Sequence, residues 1–194
     1  MGTETIRKDR AAVERAVAEL IKSLRLDPAK EPELVHTPAR MADLYAEIFS
    51  GLDPDAKPEL ACFPREGGED ALVVVRDLPF HSLCIHHFLP FFGRAHIAYL
   101  PAEKIVGISG PARLLDYYSR RPQLQERLTT QIADHLERLV RPRGVAVVIE
   151  ARHLCMEMRG IRRHGRVETR VERGALAGGM RGMSAGLGIR RAGL

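Results

Sequence analysis

Helix-type and strand-type patterns follow one another along this 194-residue chain in an order that few folds accommodate. Two helices are expected first, then strands, then a pair of helices, and then strands again. Strands joined by short connections pair as antiparallel hairpins, whereas parallel pairing requires a longer crossover. The order therefore predicts an α+β fold built around an antiparallel sheet.

Capping residues, prolines and glycines mark where the expected elements begin and end. The first helix is expected over residues 9–26, and Thr37 is expected to cap a second helix that has Pro38 in its first turn. Residues 52–70 are rich in Pro, Asp, Glu and Gly and are predicted to be a linker. The later strands and helices are expected at residues 72–80, 93–100, 110–121, 123–140, 145–149 and 166–171.

Composition excludes several classes of protein. With 45% hydrophobic and 28% charged residues, the chain can bury a core. It has no apolar run of the roughly 18 residues that span a bilayer, and no signal-peptide core follows its charged start. Its three cysteines are too few for a disulfide framework and are interpreted as reduced thiols. We therefore expect a cytoplasmic protein that has no membrane partner.

Positive charge is concentrated at the C-terminal end. Residues 1–151 have a net charge of −2 and residues 152–194 a net charge of +7, and every cation in the second segment is arginine. Guanidinium groups bind phosphate in a bidentate way, so an anionic partner is expected, either a phosphorylated small molecule or nucleic acid. The chain has no Trp and only 5% aromatic residues, which disfavours an arginine-rich nucleic-acid-binding protein with a structural zinc.

Two pairs of Cys and His residues follow predicted strands. They lie in the segments Cys84-Ile-His-His87 and His153-Leu-Cys155. Thiolate and imidazole are the ligands that zinc prefers, with four in structural sites and three in catalytic sites. The alternative is that the cysteines are buried small side chains and the histidines ordinary polar residues, but two pairs at strand ends favour a metal site. The candidate ligands exceed three, which leaves some for proton transfer: Cys62, Cys84, His86, His87, His153 and Cys155.

A second candidate site lies in the first turns of the helix expected at residues 123–140. Gln125 and Glu126 are placed there, and the helix dipole alone favours a carboxylate at that position. A carboxylate also accepts hydrogen bonds from two adjacent N–H donors, such as those of guanine. These residues by themselves leave both interpretations open.

Five segments resemble, in order and spacing, the motifs of the GTP cyclohydrolase I family. They are Thr37-Pro-Ala-Arg40, Cys84-Ile-His-His87, Gly107-Ile-Ser109 with Arg113, residues 121–129 and residues 153–160. The resemblance covers about residues 10–175. It implies a tunnelling fold, in which an antiparallel sheet with two helices on one face follows N-terminal helices. It also implies a homodecamer of two pentamers with active sites between subunits.

The resemblance further implies an activity and a set of site residues. Enzymes of the family open the imidazole ring of GTP, release C8 as formate and form 7,8-dihydroneopterin triphosphate for folate or biopterin synthesis. The implied zinc ligands are Cys84, His87 and Cys155, and the implied proton-transfer residues are His86 and His153. The implied substrate contacts are Glu126 with Gln125 beside it for guanine, and Ser109, Arg113, Arg159 and Arg40 for phosphate. The expected regions are a helical segment at 1–58, the catalytic domain at 59–176 and a Gly/Arg-rich tail at 177–194.

The sequence departs from the family pattern at three positions. Ile85 replaces a glutamate that can orient a metal ligand, unless that position points away from the metal and the isoleucine is simply packed. Gly110 replaces a lysine, which removes one charge-assisted phosphate contact, and Leu176 replaces a phenylalanine before an altered C-terminus. These changes suggest an alternative, a paralogue acting on GTP or a less phosphorylated guanine nucleotide in a specialised purine or pterin pathway. A catalytically inactive scaffold is a further alternative.

Overall fold

A computed structural model describes residues 2–67 and 71–178 of the chain. Its helices are α1 (Gly2–Ser23), α2 (Thr37–Ile48), α3 (Gly110–Ser119), α4 (Gln125–Val140) and the single turn α5 (Leu154–Glu157). Its strands are β1 (Cys62–Pro64), β2 (Val73–Cys84), β3 (Pro90–Leu100), β4 (Lys104–Val106), β5 (Pro122–Gln123), β6 (Gly144–His153) and β7 (Val167–Gly174). All but two residues of the predicted C-terminal tail lie outside the described residues.

The two N-terminal helices pack against each other, and the Arg10 guanidinium on α1 donates hydrogen bonds to both carboxylate oxygens of Asp43 on α2, at 2.7 and 3.1 Å. Helix α1 begins at Gly2, well before the predicted start at residue 9. The prediction that Thr37 caps α2 is wrong, because Thr37 is the first helical residue and its hydroxyl donates to the Glu33 carbonyl at 3.5 Å. Pro38 does lie in the first turn, as predicted.

The segment predicted as a linker contains regular structure. Two 3-10 turns, Ser50–Leu52 and Pro54–Ala56, lead to β1, which pairs antiparallel with β4. Sequence patterns miss this pairing because its two strands are short and lie about forty residues apart. The first turn docks on α3, where the Gly51 N–H donates to the Arg120 carbonyl at 2.9 Å. A Cβ at residue 51 would lie 2.1 Å from the Tyr117 carbonyl oxygen, so only glycine fits.

A five-stranded sheet forms the centre of the molecule, with strand order β5-β2-β3-β6-β7. Its long strands pair antiparallel, as predicted, and the two-residue β5 lies parallel to the end of β2. The helix predicted from Gln123 begins at Gln125 instead. Gln123 is a strand residue because its carbonyl accepts a hydrogen bond from the Ile85 N–H at 3.0 Å. The mixed α+β architecture confirms the predicted class.

Helices α3 and α4 cover one face of this sheet and form the core with it. The predicted apolar stripe of α4 is buried at Leu128, Ile132 and Leu136, which pack with alternate residues of β6 such as Val147. On the second face, Leu176 packs with small strand residues including Ala146. Among residues 2–67 and 71–178, no helix combines the length and apolarity needed to cross a membrane.

Candidate metal centre

The sheet topology explains why the two Cys/His pairs meet. Strands β2 and β6 both run antiparallel to β3, so their C-terminal ends lie at the same edge of the sheet. Cys84 is the last residue of β2, and His153 is the last residue of β6. Cys155 follows in α5, two residues beyond that strand end. The predicted ligands and proton-transfer residues are thus placed together by strand pairing.

A tight turn after Cys84 arranges the two imidazoles of residues 86 and 87. The Cys84 carbonyl accepts from the N–H groups of His87 at 3.3 Å and Phe88 at 2.8 Å. Phe88 closes the turn in the left-handed region, with φ of 52°. The turn brings Nδ1 of His86 to 3.6 Å and Nδ1 of His87 to 3.9 Å from the Cys84 Sγ. One ligand atom from each of Cys84, His86 and His87 lies within 4.8 Å of the other two, which is close enough to hold one metal ion.

The Cys155 thiol lies beside this group. Burial raises its pKa, and its hydrogen bond and charge interaction with Cys84 raise the pKa further. A zinc ion reverses this preference because a coordinating thiol loses its proton. Thiol sulfur and imidazole nitrogen are soft and borderline donors that suit zinc, so the chemistry of the donor set fits that metal.

His153 is held on two sides by neighbouring side chains. Its ring stacks on Phe91 with centroids 4.8 Å apart and an angle of 2° between the planes. Its Nε2 lies 2.7 Å from Oε1 of Gln125. The Gln125 amide nitrogen donates to the carbonyls of Ile149 and Val167, both at 2.9 Å, so Oε1 must be the acceptor and His153 Nε2 the donor. In the neutral ring this leaves Nδ1 of His153 without a proton.

Charge and burial act on His153 in opposite directions. Burial lowers its pKa, and the carboxylates of Glu126 and Glu157 oppose that shift. Glu126 itself is exposed in the first turn of α4. Its carboxylate is therefore open to a ligand and still close enough to influence the imidazole electrostatically.

Arg159 also lies at the cluster. Its Nη1 is 3.1 Å from Nε2 of His87, and because a guanidinium only donates, this imidazole nitrogen is the acceptor. The structure thus brings eight of the eleven predicted site residues to one sheet edge. They are Cys84, His86, His87, Gln125, Glu126, His153, Cys155 and Arg159.

The other three predicted phosphate contacts lie on different elements. Ser109 is exposed immediately before α3, and Arg40 is exposed on α2. Arg113 lines a cleft of about 270 Å³ between α3 and the 3-10 turns, together with Tyr117 and Arg120. None of the residues that line this cleft belongs to the Cys/His cluster.

The structure shows the surroundings of two residues that depart from the family pattern, Ile85 and Gly110. Ile85 lies in the turn after β2 and is 37% exposed in the single chain. Gly110 approaches β4 closely, and a Cβ there would lie 2.4 Å from the Val106 Cγ1. A lysine at residue 110 would therefore require Val106 to move.

Sequence reasoning missed Phe91 and overcounted the candidate ligands. Phe91 is opposite His153 in the pairing of β3 with β6, and this contact becomes visible only when the register is known. Cys62, the sixth candidate, lies on β1 with its Sγ 3.7 Å from the Leu60 carbonyl, outside the three-residue group.

Three arginines on and just before β7 form ion pairs with acidic neighbours. Arg166 pairs with Glu150, and Arg170 pairs with Glu168 at 2.6 Å. Arg173 contacts both Asp134 and Glu137 on α4, at 2.7 and 2.5 Å. Because these cations are neutralised locally, they weaken the argument for a nucleic-acid-binding surface.

The fold and the cluster define an α+β protein with a candidate Cys/His metal site where two strands of its sheet end. The family model described as GTP cyclohydrolase I matches residues 13–181. GTP cyclohydrolase 1 of Streptococcus mutans is 48% identical over 173 residues, which cover 88% of this chain and 89% of that protein. GTP cyclohydrolase 1 of Caldanaerobacter subterraneus is 49% identical over 158 residues, 81% and 83% of the two chains. The chain belongs to the GTP cyclohydrolase I family.

A comparison with solved structures gives the apo form of the archaeosine synthase QueF-Like, at a TM-score of 0.43 and 21% identity. That match covers 56% of this chain and 98% of the other. A likeness of this size supports no conclusion about function.

Proposed function

We propose that this protein is a zinc-dependent GTP cyclohydrolase I, a hydrolase that opens the imidazole ring of GTP, releases formate and forms 7,8-dihydroneopterin triphosphate. The observation that supports this most directly is the Cys84, His86 and His87 group with Cys155 beside it, in a chain of this family. The proposal includes a tunnelling fold with a helical region at 1–58, a catalytic domain at 59–176 and a tail at 177–194.

In this proposal, Cys84, His87 and Cys155 hold the zinc ion. When bound, zinc lowers the pKa of a water molecule towards about 7 and so supplies a nucleophile for C8 of guanine. His86 is left for proton transfer beside the ligands. Its Nδ1 lies 3.6 Å from the Cys84 Sγ, which places the imidazole within reach of a water molecule at the site.

His153 is proposed to exchange the proton that makes C8 electrophilic. A purine C8 is a poor electrophile until N7 is protonated, and an imidazole near its own pKa can supply that proton. Because Gln125 occupies Nε2, the exchange is assigned to Nδ1 of His153. Gln125 thereby orients the His153 imidazole. The family resemblance also places Gln125 beside the guanine base.

Glu126 is proposed to bind the guanine N1–H and the 2-amino group. We expect Glu126→Gln to lower kcat/KM for GTP by about 10- to 100-fold, because a charge-assisted hydrogen bond contributes about 1.5–3 kcal/mol. Steady-state kinetics with GTP and ATP measure the loss. Arg127→Gln, an exposed change one residue away, is the control and keeps the wild-type kcat/KM. An unchanged kcat/KM in Glu126→Gln, with the same preference for GTP, contradicts this role.

The phosphate contacts are proposed to come from more than one subunit. Arg159 lies at the metal group, whereas Ser109 immediately precedes α3, Arg113 lies on α3 and Arg40 lies on α2. A homodecamer of two pentamers, with each active site between subunits, would bring both sets to one triphosphate. Sedimentation velocity of the intact chain tests the assembly, and a monomer with full GTP turnover contradicts it.

Gly110 favours one alternative, a paralogue that acts on a less phosphorylated guanine nucleotide, because the phosphate end lacks the family's lysine. The test incubates zinc-loaded protein with GTP, GDP, GMP and guanosine, and measures formate and, after oxidation, neopterin fluorescence. We expect formate and fluorescence with GTP. Formate from GTP without fluorescence would exclude the standard product, and a preference for GMP would exclude the triphosphate substrate.

A further inference from the structure

Arg152 and Glu157 form a bidentate ion pair around the turn that contains Cys155. The Arg152 Nε donates to one Glu157 carboxylate oxygen at 2.9 Å, and Nη2 donates to the other at 2.5 Å. Only 5% of the Glu157 side-chain surface is exposed. Arg152 is the next-to-last residue of β6 and Glu157 is the last residue of α5, so the pair closes the chain around Cys155.

The arginine is itself held in place by the sheet. Its guanidinium lies over the Phe92 ring at 5.7 Å, and Phe92 stacks on His81 at 5.6 Å. These three residues are direct neighbours across β2, β3 and β6. Side chains alternate between faces along a strand, so this row lies on the face opposite His153. Because Arg152 is held by Phe92, its ion pair ties Glu157 to the sheet.

Glu157 also connects the turn to the chain that returns towards β7. Its carboxylate lies 3.3 Å from the His164 Nδ1. The Arg163 N–H donates to the Met156 carbonyl at 3.2 Å. The four-residue α5 is too short to be stable as an isolated helix, so its position depends on such tertiary contacts. The Cys155 side chain packs against the edge of the core, and the ion pair of Arg152 with Glu157 is a second contact between this turn and the sheet.

We propose that Arg152 and Glu157 are positioning residues that hold Cys155 beside Cys84, and that they thereby set how tightly the site retains zinc. The inference rests on the proposed function, in which Cys155 is a zinc ligand. Neither residue touches the metal group itself. They keep the Cys155 thiol within coordination distance of a zinc ion that is bound to Cys84.

The role of the pair can be separated from general stability. Arg152→Gln leaves the nearly buried Glu157 carboxylate without its arginine, whereas Glu157→Gln removes the charge itself. The two variants should therefore differ in their unfolding midpoints but change zinc retention and the accessibility of the Cys155 thiol alike.

The experiment measures zinc transfer from the loaded full-length protein to a chromophoric chelator. We expect Arg152→Gln and Glu157→Gln each to weaken zinc binding by about tenfold, the low end of the range for residues that orient metal ligands. The double variant should be no weaker than either single variant, because one interaction is lost in all three. In the zinc-free protein, mass spectrometry should show faster alkylation of Cys155 in each variant.

The matched controls are Arg170→Gln and Glu168→Gln, which break another partly covered ion pair of the same sheet. They should keep wild-type zinc affinity and alkylation rates. If Cys155→Ser retains zinc as tightly as wild type, the ligand assignment in the proposed function fails and the inference fails with it. If Cys155→Ser loses zinc while Arg152→Gln and Glu157→Gln retain it, the inference alone is overturned. It is also overturned if zinc affinity falls only in step with the unfolding midpoint.

Discussion

Cys84→Ser is expected to abolish zinc binding and formate release together while the chain stays folded. Cys84 lies at the centre of the site, with both imidazoles and the Cys155 thiol around its sulfur. Serine preserves the shape of the side chain but replaces the thiolate with a poor zinc ligand. A bound metal ion stabilises the charge of the transition state by several kcal/mol, so its loss implies a fall in turnover of at least about a thousandfold.

Zinc content by atomic emission, formate release from GTP and circular dichroism measure these three properties. Cys62→Ser is the matched control because Cys62 lies on β1, outside the cluster. It should keep both zinc and activity. A folded Cys84→Ser protein with wild-type zinc content and turnover would refute the metal centre. A Cys84→Ser protein that unfolds would indicate a structural metal instead of a catalytic one.

The second large effect is expected at His153. We expect His153→Asn to lower kcat by about 10²- to 10⁴-fold, the range for loss of a positioned general acid or base, and to leave zinc bound. His153 contacts Gln125 and stacks on Phe91. Its proposed role is proton transfer, and it is not a proposed zinc ligand. Single-turnover formate release and zinc content measure the two properties separately.

His96→Asn is the control for His153→Asn. His96 lies on β3 and on the sheet face opposite His153, where its Nδ1 accepts a hydrogen bond from the Asp77 N–H at 3.2 Å. The control should keep the wild-type kcat. Loss of zinc from His153→Asn would make His153 a ligand, and an unchanged kcat would remove it from the reaction.

Much of the fold was predictable because burial leaves a periodic pattern in the sequence. The stripe of α4 and the alternating strands face one core, so their spacing alone defines them. Short elements were not predictable in this way. Strand β1 depends on distant β4, and Gln123 becomes a strand residue only through its carbonyl bond to Ile85. Local propensity contains no information about such pairings.

The site was predictable to a similar extent. Cys/His pairs after two strands were sufficient to predict a metal group, and the antiparallel partner β3 between β2 and β6 explains why the pairs meet. The contact of Gln125 with His153 and the ion pair of Arg152 with Glu157 were beyond prediction. The first depends on the packing of α4 against β6, and the second on how the chain turns after its last strand residue.

In the proposed function, the group around Cys84 binds zinc, and this zinc is required to open the guanine ring. The most direct test titrates zinc into metal-free protein in the presence of GTP and follows formate and neopterin fluorescence. We predict that both signals rise together and level off at about one zinc per chain, as a single catalytic site requires. GTP turnover that is equal in metal-free and zinc-loaded protein, or zinc uptake without formate from GTP, would contradict it.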